Sequence, residues 1–383
     1  MRVVVAVDSF KGSLTTTDAG AAVRAGVLAA RPDADVVVLP VADGGEGTTD
    51  CLAAAWGTPL RRSATTDALG RPTTATWALS ADGARAVVEV AAASGLPAVA
   101  DVPADPRGTS TLGTGRLLVE ALDAGAEEVL LCLGGSATTD GGAGLLVALG
   151  GRLLDAAGRD LPPGGGALTA LDRVDLSALH PRARGARWRL ACDVTNPLLG
   201  PRGAAAVYGP QKGAGPDDVA ALDAGLARLA AALREATGVD VTELAGAGAA
   251  GGAPAPLVAA LGATLEPGAP LVLGEVGLPA ALAGGADLVL TGEGSCDEQS
   301  VQGKVVDGVA AAVRAAPAAA GAPVVVLAGR VAVAPAVLAA AGVTAAFGLA
   351  PGPASLDELR ADAAPLLADL AERVVRLVGR DAR

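Results

Sequence analysis

The three lysines of this chain are the residues that first indicate a chemical function. They are Lys11, Lys212 and Lys304, and the other 26 of the 29 basic residues are arginines. Arginine can replace lysine on a solvated surface, but it cannot replace a compact ammonium held as a point charge against a phosphate oxygen. Each lysine also has a glycine beside it in sequence. We therefore expect the lysines to contact an anionic ligand, the alternative being local packing.

Acidic loops follow the first two predicted strands. The apolar runs 3–7 and 36–41 predict buried parallel strands, and the loops VDSFKGS and VADGGEGT come at their ends. In open α/β sheets, ligands bind beyond the carboxyl ends of the strands. We therefore expect four side chains of these loops to lie together, namely Asp8, Lys11, Asp43 and Glu46.

The segment 133–145, LGGSATTDGGAGL, lies between a predicted strand and a predicted helix. Its glycines expose backbone N–H groups and its hydroxyls add further donors, so it is suited to an anion. Asp140 would cap the following helix or hold a metal ion. The alternative is a purely structural turn between strand and helix.

The segment 192–215, CDVTNPLLGPRGAAAVYGPQKGAG, is a long loop stiffened by three prolines. It begins with Asp193 at the end of a predicted strand and carries Asn196, Tyr208 and Lys212. So much polar functionality on a rigid loop is typical of a site rather than a linker. Asx turns at Asp193 and Asn196 are the structural alternative.

The segment 290–310, LTGEGSCDEQSVQGKVVDGVA, joins a predicted strand to a predicted helix. It places Glu293 and Asp297 near the strand end and Lys304 in the first turn of the helix. Carboxylates suit Mg²⁺ and a lysine suits phosphate oxygens, whereas ordinary helix capping is the alternative.

One glycine-rich segment matches the dinucleotide-binding pattern GxGxxG in its residue types but not in its structural context. The run 246–251 reads GAGAAG, but no clear strand precedes it, so a tight turn into a helix explains it better than a dinucleotide fingerprint. The P-loop pattern GxxxxGK[ST] does not occur in the sequence.

Composition excludes several classes of function. A net charge of −12, a pI of about 4.6 and 2% aromatic residues disfavour nucleic acid as a partner. The single histidine, His180, is expected at the surface, which disfavours a histidine base. The four cysteines form no CxxC pair, which predicts reduced thiols in a cytoplasm, and no run of residues predicts a membrane span. The residues indicate no oligomeric state.

Strands and helices alternate at both ends of the chain, where 288–291 predicts a strand and 355–378 predicts a single helix. From about Arg61 the pattern changes, because 73–79 and 86–90 predict antiparallel strands joined by a turn at Ala81-Asp82-Gly83. We predict an α/β protein of two domains: a parallel-sheet domain formed by both termini, at 1–61 and 286–383, and an inserted mixed α/β domain at 62–285. Carboxylates, scarce lysines and glycine N–H groups with no histidine base are best suited to phosphoryl transfer, which depends on positioning and charge neutralisation.

Seven segments in order resemble the glycerate kinase type I family, the bacterial glycerate 2-kinases. They read VDSFKGS, ADGGEGT, EVAAASGLP, GGSATTDGGAG, CDVTNPLLGPRGAAAVYGPQKGA, GAGAAGG and TGEGSCDEQSVQGK. The resemblance implies a Rossmann-like domain interrupted by an inserted one. It also implies phosphorylation of D-glycerate by ATP with Mg²⁺, giving 2-phosphoglycerate.

The resemblance also implies roles for individual residues. Asp193, placed by Asn196, is the expected general base, and Lys11 and Lys212 are expected to act on the substrate carboxylate or the transferring phosphoryl group. The expected Mg²⁺ ligands are Asp193 and Glu293, and the sequence does not rank Glu293 against Asp8, Asp43 and Asp297 as ligands of Mg²⁺ or of the substrate hydroxyls. The expected substrate-binding residues are Asp8, Ser9, Asp43, Glu46, Asn196 and Asp297. The expected nucleotide-binding residues are Gly134, Gly135, Ser136, Thr138, Thr139 and Lys304.

The sequence departs from the family pattern after GEG, where Ser295 and Cys296 replace the usual arginine and apolar residue. Arg330, where the family tends to have serine, is a candidate for supplying the missing charge. The alternatives to a glycerate kinase are a kinase for another small hydroxy acid, a non-catalytic nucleotide- or metabolite-binding relative, and, more remotely, a dehydrogenase.

Overall fold

The computed structural model describes residues 1–379. The strands are β1 (Arg2–Val7), β2 (Asp35–Pro40), β3 (Arg61–Thr66), β4 (Pro72–Leu79), β5 (Arg85–Glu89), β6 (Glu128–Cys132), β7 (Arg152–Leu154), β8 (Arg173–Asp175), β9 (Arg187–Ala191), β10 (Thr264–Glu266), β11 (Leu288–Cys296), β12 (Val324–Val331) and β13 (Ala345–Gly348). The helices are α1 (Thr16–Ala30), α2 (Thr48–Trp56), α3 (Val90–Ser94), α4 (Leu112–Asp123), α5 (Ala143–Ala148), α6 (Ala204–Tyr208), α7 (Pro216–Thr237), α8 (Pro254–Leu261), α9 (Gly268–Glu275), α10 (Leu278–Ala283), α11 (Val305–Ala315), α12 (Pro335–Ala340), α13 (Leu356–Ala361) and α14 (Ala363–Val378).

The chain divides into two compact units. The first unit contains Met1–Asp43, Ala54–Trp56 and the chain from Gly268 onwards. The second unit contains Gly44–Ala53 and Gly57–Pro267. Both termini of the described chain therefore belong to the first unit. The domain boundaries expected at 61/62 and 285/286 stay a prediction.

The first unit is built on a parallel sheet with strand order β13-β12-β11-β1-β2. Val5 of β1 pairs with Leu290 on one side and with Val38 on the other. These strands are nearly continuous runs of valine and leucine, as required of strands that helices cover on both faces. Helices α1 and α14 pack together against this sheet and enclose a core that includes Val23, Leu367 and Val375.

The second unit is built on a mixed sheet with strand order β10-β9-β6-β5-β4-β3. Strands β5, β6, β9 and β10 are parallel, whereas β3, β4 and β5 are joined in antiparallel fashion. The antiparallel pair of β4 and β5 was expected from the turn at Ala81-Asp82-Gly83. Trp77 and Trp188 are fully buried in its core. The predicted fold class is thus confirmed, with one parallel sheet, one mixed sheet and a small antiparallel sheet of β7 and β8.

Two elements differ from the sequence prediction. Strand β11 does not end at Thr291 but continues to Cys296, because its residues keep pairing with β12 as far as Val331. The single helix expected over 355–378 is interrupted at Asp362, whose φ of −102° and ψ of 17° are not helical, so α13 and α14 are separate.

Two features of composition can be compared with the structure. The side chains of Cys51, Cys132, Cys192 and Cys296 are thiols that form no disulfide within the described residues. Within residues 1–379, no helix combines the length and the hydropathy that crossing a bilayer would require.

Close packing of α1 against α14 depends on Gly26. A Cβ atom at Gly26 would lie 2.0 Å from the carbonyl oxygen of Ala368, whereas one at Gly274 of α9 would meet no atom within 4 Å. Gly26→Ala should therefore lower the free energy of unfolding by about 1–3 kcal/mol. Gly274→Ala should leave it unchanged or raise it by up to about 1 kcal/mol, because alanine favours the helix. Urea unfolding of both variants measures this, and equal effects would contradict the packing described.

Candidate functional site

Three carboxylates lie near the strand ends of the first unit. Asp8 follows β1, and its backbone N–H donates to the carbonyl of Gly292 in β11 at 2.8 Å. Asp43 follows β2, and Glu293 lies within β11. The negative charges of Asp43 and Glu293 both act on Asp8. The structure therefore brings together in this unit three acidic residues that are far apart in sequence, and we call them the acidic group.

The acidic group is poorly solvated. Burial, helped by the charges of Asp43 and Glu293, raises the pKa of Asp8 to about 7, although the N–H of Ser9 opposes this by donating to Asp8 Oδ1 at 2.6 Å. Burial also raises the pKa of Glu293, although a hydrogen bond from Ser300 and the charge of Lys304 oppose this. Glu293 Oε1 is buried and accepts no hydrogen bond from the described residues. Such a group has the electrostatics of a cation or proton-transfer site.

Other expected residues of the first unit surround this group. Lys11 is exposed, and its backbone nitrogen lies 3.5 Å from the Cβ position of Gly294. Asp297 caps a short 3₁₀ helix, accepting from the N–H of Gln299 at 2.9 Å. Lys304 occupies the position just before α11 rather than its first turn.

The predicted anion loop of the second unit is organised by a buried lysine. Lys212 is only 4% exposed, and its Nζ donates to Ser136 Oγ at 3.0 Å and to the carbonyl of Thr138 at 2.5 Å. The hydroxyls of Thr138 and Thr139 are buried and lack a partner among residues 1–379. Gly134 and Gly135 are exposed at the start of the loop. The loop thus combines a buried ammonium with unused hydroxyls, which suits an anion.

The glycine-rich segment 246–252 is a tight turn that supports this loop. No strand leads directly into it, it contains a short 3₁₀ helix at Ala249–Gly251, and α8 follows. A Cβ at Gly251 would lie 1.9 Å from the carbonyl oxygen of Thr138, and the N–H of Gly141 donates to the carbonyl of Gly251 at 3.0 Å. At the other end, the N–H of Gly248 donates to the carbonyl of Asn196 at 3.0 Å. The segment therefore joins two of the predicted site loops, as the turn interpretation requires.

Asp140 has a structural role. It is fully buried and accepts from the backbone N–H and hydroxyl of Thr111 at 2.7 and 2.8 Å. It also accepts from the N–H groups of Gly142 and Gly144 at 3.1 and 3.2 Å. Of the two roles considered from sequence, capping is the one that the structure shows.

The loop after β9 places Asp193 and Asn196 differently. Asp193 is exposed beyond the end of the strand. Asn196 braces the loop, because its Nδ2 donates to the carbonyl of Arg202 at 2.8 Å and its Oδ1 accepts from the Tyr208 hydroxyl at 2.7 Å. The expected placement of Asp193 by Asn196 stays a prediction. The single histidine of the sequence, His180, lies elsewhere in this unit, with its Nε2 3.1 Å from Asp123 Oδ1.

Sequence reasoning missed Glu89 of the second unit. This carboxylate is 8% exposed and accepts from the N–H of Thr49 at 2.7 Å, near the start of α2. Burial raises its pKa, with the backbone N–H of Thr49 opposing this most strongly. It therefore fixes the end of the VADGGEGT loop, where Glu46 is exposed. The segment EVAAASGLP was noticed, but a single sequence does not reveal that its glutamate turns towards a loop 40 residues earlier.

The expected site residues are divided between the units. The first unit holds Asp8, Ser9, Lys11, Asp43, Glu293, Asp297 and Lys304. The second holds Glu46, Gly134, Gly135, Ser136, Thr138, Thr139, Asp193, Asn196 and Lys212. Within residues 1–379, no three histidine, cysteine, aspartate or glutamate side chains are arranged so that they could hold a metal ion by themselves.

Comparison with known proteins decides the family. Residues 3–379 match the model of the glycerate kinase family. This chain belongs to the glycerate kinase family. It is 43% identical to a glycerate kinase of Bacillus subtilis over 98% of this chain and 96% of that protein. It is 45% identical to a glycerate 2-kinase of Escherichia coli over 81% of each chain.

A solved member of the same family has the same fold. A crystal structure of a protein named as a glycerate kinase 2, from Salmonella typhimurium, is 41% identical with a TM-score of 0.90. The match covers 99% of this chain and 98% of that one. The resemblance inferred from the seven sequence segments is therefore confirmed.

The buried Lys212 should make stability depend on pH. Burial lowers the pKa of Lys212 from its ordinary 10.5 to about 8 in the folded protein, although Asp140 opposes this. Between these pH values the unfolded chain holds a proton that the folded chain has released, so the free energy of unfolding should increase with pH. Relative to Lys212→Met, we expect a gain of up to about 3 kcal/mol across this window.

Urea unfolding at several pH values measures this gain. Lys11→Met, at an exposed lysine, is the control and should follow the pH dependence of the wild type. Parallel curves for the wild type and Lys212→Met would show that the ammonium is not desolvated.

Proposed function

We propose that this protein is an ATP-dependent glycerate kinase that phosphorylates the 2-hydroxyl of D-glycerate. The observation that carries this proposal is the match to the glycerate kinase family along residues 3–379. A relative named glycerate 2-kinase, 45% identical, favours the 2-position. The free thiols favour a cytoplasmic location.

The loop of the second unit is the proposed site of the nucleotide phosphates. Its residues Gly134, Gly135, Ser136, Thr138 and Thr139 supply N–H groups and hydroxyls, and Lys212 supplies charge. Lys304 of the first unit is proposed as a further phosphate ligand. The support for this assignment is that two buried threonine hydroxyls have no partner among residues 1–379, which is costly unless a ligand satisfies them.

The acidic group is suited to Mg²⁺. Asp193 and Glu293 were expected from sequence as ligands, and they lie in different units, so their pairing stays a prediction. Glu293 fits the ion, because its buried Oε1 is unsatisfied and the neighbouring Asp8 is destabilised by negative charge. In kinases Mg²⁺ is usually held by one or two carboxylates together with phosphate oxygens. When bound, it would neutralise charge on the phosphates.

Substrate and proton transfer are assigned to the remaining residues. Asp8, Ser9, Asp43, Glu46, Asn196 and Asp297 are proposed to bind glycerate, and Lys11 its carboxylate or the transferring group. The carboxylate of Asp193 would accept the proton of the 2-hydroxyl. The hydroxyl oxygen then bonds to the γ-phosphorus while the bond from that phosphorus to the β,γ-bridging oxygen breaks, and ADP leaves.

The reaction itself is tested by coupled ADP release and by ³¹P NMR of the product. D-glycerate should be used in preference to L-glycerate, glycolate and tartronate, and the product should be 2-phosphoglycerate. Preference for another hydroxy acid, or 3-phosphoglycerate as product, would contradict the substrate assignment. ATP binding without turnover would indicate a non-catalytic relative.

Removing the proposed base should lower turnover without unfolding the protein. Asp193→Asn keeps the size of the side chain but cannot accept the hydroxyl proton, so kcat should fall by about 10²–10⁴-fold. Asp172→Asn, at an exposed aspartate of the same unit, should have wild-type kcat. Near-normal kcat in Asp193→Asn would assign the base elsewhere, and Asp8 would be the next candidate.

The raised pKa of Asp8 should appear in the pH dependence of kcat/KM. Whether Asp8 binds substrate or a cation, it must be ionised, so kcat/KM should fall as the pH drops below about 7. Asp43→Asn removes a charge that raises this pKa, so the midpoint should move to lower pH. Asp33→Asn, at an exposed turn of the same unit, should leave the midpoint in place. If Asp43→Asn left the midpoint unchanged, the charge of Asp43 would not act on Asp8, and Asp8 would not belong to the acidic group.

A further inference from the structure

An apolar pocket of about 290 Å³ lies in the second unit, beside the loop that carries Ser136. Aliphatic side chains form most of it, and they include Leu96, Val99, Val102 and Pro210. The polar residues that line it are Asp105, Thr109, Gln211 and Lys212. Val102 is 41% exposed, so its side chain is open to a ligand. Apart from Lys212, no residue expected to contact glycerate lines this pocket.

The pocket and the phosphate loop are parts of one local structure. The N–H of Leu96 donates to the carbonyl of Gly135 at 2.9 Å, and the N–H of Ala137 donates to the carbonyl of Ser94 at 2.8 Å. The side chain of Lys212 leaves the pocket lining and ends on Ser136 Oγ, 3.0 Å away. A ligand in the pocket would therefore have a buried ammonium and the loop hydroxyls at one end.

The opposite walls of the pocket meet at Gly213. This residue has a φ of 91°, and a Cβ there would lie 2.3 Å from the Cβ of Ala104. Glycine therefore allows the turn that carries Pro210 and Lys212 to approach the 97–105 segment closely. The pocket has a fixed shape because the backbone on both sides sets it.

We propose that this pocket binds the purine base of the nucleotide, with the phosphates directed towards Lys212 and Ser136. The inference rests on the proposed function, in which ATP is the donor. Of the two substrates, only ATP has a large, flat and weakly polar part, whereas glycerate is polar throughout. A volume of about 290 Å³ is at the small end of ligand pockets, so it suits a ring system rather than a whole nucleotide. Aromatic residues make up only 2% of this chain, so aliphatic side chains would contact the base in their place.

The test compares the affinity for ATP with that for inorganic tripolyphosphate, which has the phosphates but no base. Val102→Trp and Val99→Trp fill the pocket, and Val239→Trp is the control at a valine of similar exposure, 38%, outside it. Titration calorimetry should show ATP binding weakened about tenfold to a hundredfold in the two pocket variants, as expected when an aromatic group loses its apolar site. Their affinity for tripolyphosphate should change by less than twofold, and the control should bind both ligands as the wild type does.

Three outcomes would overturn the inference. They are unchanged ATP affinity in both pocket variants, equal loss of ATP and tripolyphosphate affinity, and a raised KM for glycerate with normal ATP binding. The proposed function is judged separately, by glycerate phosphorylation in the wild type. An active wild type with unaffected pocket variants would disprove the base pocket and leave the kinase assignment intact.

Discussion

The buried ammonium of Lys212 is the constraint on which the second unit's candidate site depends. Burying a charge costs several kcal/mol unless hydrogen bonds and opposite charges compensate for it. Here Ser136 Oγ and the carbonyl of Thr138 accept from it, and Asp140 provides a favourable charge. The Thr138 carbonyl is held in place by the backbone of Gly251, which leaves no room for a side chain. Lys212 and Gly251 therefore both contribute to the position of the Thr138 carbonyl, although 39 residues separate them in sequence.

The first unit presents the opposite situation, in which negative charges are held together. Burial and the charges of Asp43 and Glu293 raise the pKa of Asp8, and burial and nearby carboxylates raise the pKa of Glu293. If stability were the only requirement, these three carboxylates would not lie close together in a poorly solvated place. Such an arrangement is retained where a cation or a proton relieves the repulsion during function.

The sequence was sufficient to predict the fold class and the family, because valine runs encode the buried strands locally and seven segments carry the family pattern. It was not sufficient to predict which polar residues are structural. Asp140 was a candidate metal ligand, yet it accepts from the Thr111 hydroxyl and from the N–H of Gly144 and so has a structural role. Glu89 was overlooked because its partner, Thr49, is distant in sequence. A carboxylate that caps and one that binds a ligand are identical in a sequence, and only packing separates them.

The region around Ser295 also shows that a motif read along the sequence does not by itself predict the local charge. Along the chain, Ser295 stands where the family usually has arginine, which would count as the loss of a positive charge. In the sheet, β11 continues far enough for Ser295 to pair with Arg330 of β12. Paired residues of neighbouring strands lie about 5 Å apart and point to the same face of the sheet. Arg330 is exposed at this place, and that it supplies the missing charge stays a prediction. Because a sheet edge presents side chains from several strands together, electrostatics there depends on register rather than on position within any one motif.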